Sequence, residues 1–239
     1  MFVAMLPLLL SLATDAPGPD TTLVKFTGDV GFVSTSGNTS VQSLNFGNKF
    51  SVEKRDVTFS QTFNGVYGRS QGEVVTSSWR GGLRVDLRTS SEKISLFNLL
   101  NYERNVFAGI ASRIADVSGL TLLVIDRPRH RLNFDAGISY TRQRGATAAA
   151  RDVDFLGGRA ATNYALQLSS NAQFVQSVEL LPNFRESDDL RVNTESTLTA
   201  PISRHIGIKL SYVIRYDGQP QQDFKTTDRL FTSGVQVAL

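Results

Sequence analysis

The feature that most constrains this chain is a period-two alternation of side-chain character. It runs from Thr22 to the C-terminal end in stretches of about 12 to 16 residues, each broken by turn chemistry. In Val57 to Tyr67 the odd positions are Val57, Phe59, Gln61, Phe63, Gly65 and Tyr67, and the even positions between them are mostly Thr, Ser and Asn. Val75, Trp79, Leu83, Val85 and Leu87 share one parity of the next stretch, whereas Arg80, Arg84, Asp86 and Arg88 share the other. Near the end, Ile206, Ile208, Leu210, Tyr212 and Ile214 oppose Gly207, Lys209, Ser211 and Arg215. Successive side chains of a strand point to opposite faces, so each stretch is a strand with one apolar and one polar face. No stretch carries a helical period.

Turn signals divide the chain into about twelve strands, near residues 22 to 33, 40 to 52, 56 to 69, 74 to 89, 92 to 104, 110 to 125, 130 to 144, 152 to 168, 172 to 186, 189 to 202, 205 to 217 and 227 to 239. The fifth is ambiguous in facing, because Leu96, Phe97, Leu99 and Leu100 put apolar groups on both sides. Most connections at one end are short, such as Glu53 to Asp56, Thr89 to Ser91 and Asp126 to Arg129. Those at the other end are mostly longer, such as Gly145 to Arg151 and Gly218 to Thr227, with Ser187 to Asp189 a tight exception. Strands this long exceed the five or six residues usual in soluble sandwiches and suit a tilted barrel crossing a bilayer. The polar face is rich in Arg, Asp, Asn, Ser, Thr and Gly, short or planar groups able to fill a lumen with hydrogen bonds. The expectation is therefore an all-β chain, a single antiparallel transmembrane β-barrel of about twelve strands with a polar lumen and an apolar exterior. A soluble secreted β-barrel that binds a ligand is the alternative.

Composition narrows the function classes. The 239 residues have no Cys, which excludes disulfides, thiolate metal sites and cysteine nucleophiles. A net charge of +3 without a basic cluster argues against a nucleic-acid partner. Phe2 to Leu12 is nearly continuous apolar sequence ending in Ser11-Leu12-Ala13, followed by Asp15-Ala16-Pro17-Gly18-Pro19-Asp20. Residues 1–13 read as a secretory signal, 14–21 as a short linker and 22–239 as the barrel. The signal lacks a basic residue before its apolar run, so either the α-amino group supplies that charge or the natural start lies upstream.

Three motifs, in order, resemble a known family. Gly31-Phe32-Val33-Ser34-Thr35-Ser36-Gly37-Asn38-Thr39 is similar to the first hairpin of the salt-induced outer-membrane proteins, a family defined by a domain of unknown function. Asn105-Val106-Phe107-Ala108-Gly109-Ile110, followed by Arg113, resembles its central motif, and Lys225-Thr226-Thr227-Asp228 resembles its C-terminal one. The resemblance implies a β-barrel in the outer membrane of a Gram-negative-type bacterium, with lipids and the barrel assembly machinery as partners, and it implies no settled activity. The chain departs from the usual pattern in ending on Leu239 rather than an aromatic residue, which bears on assembly rather than fold.

Candidates for chemistry are few. Only two His exist, His130 beside Arg129 and Arg131, and His205 after Arg204. Neither has a carboxylate close in sequence to orient it as a general base, so they read as turn residues and the chain as no enzyme. Asp152, Asp154, Asp188, Asp189 and Asp217 are scattered at loop ends, which gives no metal site and no cofactor call. Gly81-Gly82 and Gly157-Gly158 are strand glycines rather than phosphate cradles.

The informative set is the polar face. Parity turns Arg80, Arg84, Asp86, Arg88, Arg113, Arg131, Asp135, Arg159, Glu179, Arg185, Arg191, Glu195, Lys209 and Arg215 toward the lumen, together with Lys25, Lys49, Asp29, Glu103, Asp217 and Asp228. Aromatics including Phe32, Phe46, Tyr67, Trp79, Tyr140, Tyr164, Phe184 and Tyr216 should face outward. Twelve strands fall between barrels filled by side chains and those leaving an aqueous channel. Two readings follow: a structural barrel in which Arg and carboxylate pair off across the lumen, or a narrow anion-biased pore that passes or binds a small solute or ion.

Overall fold

The computed structural model describes residues 22–35, 41–146, 152–169, 172–203, 205–221 and 224–238. They form twelve strands: β1 (Thr22–Thr35), β2 (Val41–Lys54), β3 (Val57–Ser70), β4 (Glu73–Arg88), β5 (Ile94–Asn105), β6 (Ile110–Asp126), β7 (His130–Gly145), β8 (Val153–Ser169), β9 (Ala172–Pro182), β10 (Leu190–Pro201), β11 (Ile206–Asp217) and β12 (Thr227–Ala238). Each pairs antiparallel with its sequence neighbour, and β1 closes on β12 through Thr27 opposite Ala238 to Val30 opposite Val235. Pairing of β1 with β12 closes the sheet into a barrel. The expected signal segment and the terminal Leu239 lie outside the described residues, as does part of the first motif.

The barrel is inside out relative to a soluble protein. One parity of every hairpin puts large apolar side chains on the outer surface, among them Val30, Leu83, Leu120, Ile138, Leu156 and Phe231, each close to half exposed or more. The opposite parity buries Asp135, Ser139, Thr141, Gln143, Arg191 and Ser211. That exterior is the solvent preference of hydrocarbon, not of water. Trp79 sits on it within an aromatic group, its ring 5.5 Å from Phe46 and 6.2 Å from Phe63. Tyr140 and Tyr216 are also outward and exposed.

Strand ends agree with the alternation to within a few residues, and the largest difference is in β9. The sequence extends that strand to residue 186, but it stops at Pro182. Proline contributes no N–H to the ladder. Beyond it Asn183 caps a turn, its Oδ1 accepting from the Arg185 N–H at 2.9 Å and its Nδ2 donating to Asp189 Oδ2 at 2.8 Å. Arg185 is thereby placed in a loop, where its guanidinium donates to the Asp154 carbonyl at 3.4 Å. This corrects its assignment to the lumen: the alternation was counted through residues that a side-chain cap had already taken out of the strand. Phe184 leaves the strand with it and lies over Gly158, strongly exposed.

At the long-loop end the central motif forms a single 3-10 turn, Val106–Ala108, closed by Gly109 at φ 73°. A Cβ at Gly109 would lie 2.7 Å from Gln221 and 2.8 Å from Phe224, so glycine is required both by conformation and by space. The second family-type motif is thus docked against the loop that leads into the third.

Candidate functional site

Register explains how the lumen is furnished. Arg84 on β4 stands opposite Leu99 of β5, and Asp135 on β7 stands opposite Thr121 of β6 and Ala161 of β8. The three strand steps between Arg84 and Asp135 are crossed by the arginine itself. Its Nη1 donates to Asp135 Oδ2 at 2.7 Å, its Nε to both oxygens of Asp86 at 2.9 Å, and its Nη2 to Thr121 Oγ1 at 2.7 Å. Arg159 of β8 donates from Nη1 to the same Asp135 Oδ2 at 2.8 Å and from Nε to Glu179 Oε1 at 2.7 Å. Glu179 in turn accepts from Asn193 Nδ2 at 2.9 Å. Asp86, Arg84, Asp135, Arg159, Glu179 and Asn193 thus form one hydrogen-bonded chain from β4 to β10. Charge-assisted contacts of this kind are the strong members of a buried network, and each buried charge here has its partner.

Phe97 is enclosed by this network. It is only 1% exposed, with the Arg84 guanidinium carbon 4.2 Å and that of Arg159 5.6 Å from its ring centroid. Gly119 stands directly opposite it on β6. A Cβ there would fall 2.2 Å from the Ala136 carbonyl, so the close approach of β6 and β7 beside Phe97 requires glycine. Sequence reasoning did not select Phe97, because apolar residues on both sides of β5 hid its facing. The available signal was register: its parity matches Asn101 and Glu103.

Nearer the long loops lies a second group. Glu103 receives Arg80 Nη2 at 2.9 Å and Arg113 Nη1 at 3.3 Å, while Arg113 also donates from Nε to Gln143 at 2.6 Å and from Nη2 to Asp217 at 3.4 Å. Arg191 and Arg215 face the same region from β10 and β11, yet neither makes a hydrogen bond or ion pair to a described residue, and the Nε of each is buried without an acceptor. Arg191 instead lies over the Phe155 ring, 5.3 Å from its centroid.

The other expected lumen residues are less densely connected. Lys209 reaches past β12 to Asp29 of β1 at 2.8 Å. Arg88 pairs with Glu53 at 2.8 Å at the short-turn rim, where both are exposed. Glu195 accepts from Ser211 at 2.7 Å and Thr197 at 3.1 Å. Arg131 stands at the same rim opposite Asp126 without an ion pair among the described residues. Lys25 and Lys49 on β1 and β2 are also without one. Their wall is otherwise made of small groups, including Thr27, Gly47, Ser51, Ser60 and Thr62.

Between the two walls runs a cavity of about 1320 Å³. Its lining begins at Asp56, Lys93 and Asp126 beside the short turns and ends at Pro220, Lys225 and Thr226 in the last long loop, with contributions from all twelve strands. Among the described residues no group of three His, Asp or Glu is arranged to hold a metal ion. His130 is engaged at the surface, its Nδ1 2.7 Å from the Tyr164 hydroxyl.

Residues 28–238 match the family described as "Protein of unknown function, DUF481". One relative is "Uncharacterized protein YdiY" of Escherichia coli strain K12, 24% identical over 214 residues that cover 88% of this chain and 81% of that protein. Among solved structures, the COG4313 outer membrane channel from Pseudomonas putida F1 is similar at a TM-score of 0.51 and 8% identity, covering 94% of this chain and 99% of that one. The translocator domain of the autotransporter NalP from Neisseria meningitidis is similar at 0.45 and 13% identity, covering 94% and 89%. At 8% identity the likeness to the Pseudomonas protein shows the barrel fold alone.

Proposed function

The chain belongs to the DUF481 family, and from that premise we propose that it is an outer-membrane barrel serving as a narrow, anion-biased conduit for small solutes. The observation that carries this reading is the continuous cavity of about 1320 Å³ reaching from the short turns to the last long loop. Water fills a polar space of that size, and fixed charge on its low-dielectric wall biases which ions enter. The bias is toward anions because, among the described residues, Lys25, Lys49, Lys93, Arg131, Arg191, Arg215 and Lys225 line the cavity without an ion pair, whereas most carboxylates there are paired with arginine or lysine. Asp56, Glu92, Asp126, Glu195 and Asp228 line it without an ion pair among the described residues, and they reduce the bias without cancelling it. The similar Pseudomonas protein is an outer membrane channel, which is in keeping with this reading.

Export through a signal in residues 1–13, insertion by the barrel assembly machinery and residence in the outer membrane of a Gram-negative-type bacterium belong to the same proposal. Salt-induced expression, implied by the motif resemblance, would accord with an envelope role. No catalytic step is assigned. The test is liposome swelling with purified protein: a small carboxylate salt enters faster than a cationic amine of similar size. Fractionation with outer membranes and faster migration of the unheated protein on a gel test the location; recovery as a soluble periplasmic species overturns it.

A second reading, a barrel whose lumen serves only to hold it together, is favoured by the unbroken chain from Asp86 to Asn193. The two readings part on conductance. The network occupies the β4 to β10 wall, and the small-residue wall of β1 to β3 is left to water.

A further inference from the structure

Arg80, Arg113, Arg191 and Arg215 gather at one level of the lumen around Glu103, Asp217 and Asp228. Arg80 and Arg113 converge on Glu103, Arg113 also reaches Asp217, and Arg191 stands directly across the β10–β11 ladder from Asp217. Arg215 is one step along the same ladder, opposite Asn193 on one side and Asp228 on the other. Arg191 is repelled by Arg113 and attracted by Asp189, Asp217 and Glu103, and Arg215 is repelled by Arg80 and attracted by Glu103, Asp228 and Glu195. These like charges are brought together by the register of four inward-facing strands, not by a flexible loop.

Glu103 and Asp217 are bonded directly to Arg80 and Arg113, and among the described residues no carboxylate stands within ion-pair distance of Arg191 or Arg215. Arg191 is 7% exposed and its Nε has no acceptor; the Arg215 Nε is likewise buried and unaccepted. A buried guanidinium without an acceptor loses its hydration and gains nothing in return. The planar N–H pairs of arginine match the two oxygens of a carboxylate or phosphate side-on, a geometry in which Nε and one Nη donate together. Chloride, a sphere, satisfies only one such direction at a time.

We propose that Arg191 and Arg215, supported by Arg80 and Arg113, form an oxyanion-binding site in the lumen for a small solute bearing a carboxylate or phosphate group. This deepens the conduit reading by naming the solute chemistry and the level at which it pauses. Glu103 and Asp217 keep the site weak by opposing the bound charge, as a passage requires: binding must be favourable enough to enter and weak enough to leave.

The test uses the purified full barrel in detergent, with its unfolding midpoint followed by the heat-dependent gel shift. Inorganic phosphate, and separately acetate, is titrated against chloride at constant ionic strength. Each should raise the midpoint saturably, as any ligand specific to the folded state does. Arg191→Gln and Arg215→Gln should each weaken that response about tenfold. Arg191→Lys, which keeps the charge and loses the fork, should weaken it too. Arg88→Gln at the rim should leave it unchanged. In anion-free buffer Arg191→Gln should still fold, with a midpoint lowered only by the lost contact with the Phe155 ring. A response absent from the parent, or equal in the parent and the Arg191 and Arg215 variants, overturns the site. A phosphate response with no permeation would leave the site standing and overturn the conduit. Permeation without a phosphate response would do the reverse.

Discussion

Arg84 and Asp135, on strands three apart around the barrel, meet inside it at 2.7 Å. Neither is the other's ladder neighbour, so the contact is made across the curved wall and braces it. Asp135 is shared with Arg159 at 2.8 Å, and it also accepts from the Thr121 hydroxyl at 2.7 Å. Replacing Asp135 by Asn should lower stability by about 2–4 kcal/mol, since two guanidinia lose a buried acceptor. Urea unfolding in lipid vesicles measures it. Combined with Arg84→Gln, the losses should be less than additive by about 1 kcal/mol or more. Strict additivity would mean that the pair is not coupled.

Phe97 is packed on the inner face beneath the Arg84 and Arg159 guanidinia. Its replacement by Ala should cost about 2–4 kcal/mol, through lost packing against the arginine faces and the cavity left behind. The same change should widen the water path, so single-channel conductance should rise. An unchanged conductance would place the narrowest level of the lumen elsewhere.

Much of this was legible in the sequence because a barrel strand carries its facing in its parity, and parity fails only where something local interrupts it. Arg84, Asp135, Arg159 and Glu179 could be assigned to the inner wall because their strands alternate without a break. The contact least legible was Arg84 with Asp135, because it depends on stagger between strands that never pair, whereas Arg159 meets Asp135 and Glu179 on the diagonals of paired strands. Arg185 misled because Pro182 and Asn183 end β9 by a missing donor and a side-chain cap, both of which leave the alternation visible past the strand. Phe97 was hidden for the opposite reason, as an apolar residue on a polar face.

The outer belt holds a polar exception. Asn98 of β5 donates to Asp116 at 2.8 Å and Ser118 at 3.0 Å on β6, among outward Leu100, Ile114 and Leu120. An acidic group on a lipid-facing surface costs stability according to its depth. Asp116→Leu should raise the urea midpoint in vesicles by an amount corresponding to about 1 kcal/mol. A drop would mean that the Asn98 contact outweighs the cost of the charge.

Outside the strands, Asp152 accepts from the Gly145 N–H at 3.0 Å and from the Arg144 guanidinium. The backbone donor, and then Arg144, hold its carboxyl below the ordinary aspartate value. A lowered folded-state value means that the stabilisation is present above the ordinary aspartate range and is lost as pH falls through the depressed one. Carbon-13 titration of the Asp152 carboxyl should place its midpoint below that of an unstructured peptide. In Arg144→Gln the midpoint should move upward, and no movement would remove Arg144 as a cause.

The conduit itself is tested most directly by a planar bilayer holding purified protein under a potassium chloride gradient. Stable unitary currents are expected, with a reversal potential displaced toward that of chloride. The displacement should shrink when Arg191 and Arg215 are both replaced by Gln. A membrane that stays at its lipid baseline although the heat-modifiable barrel has inserted would contradict the account.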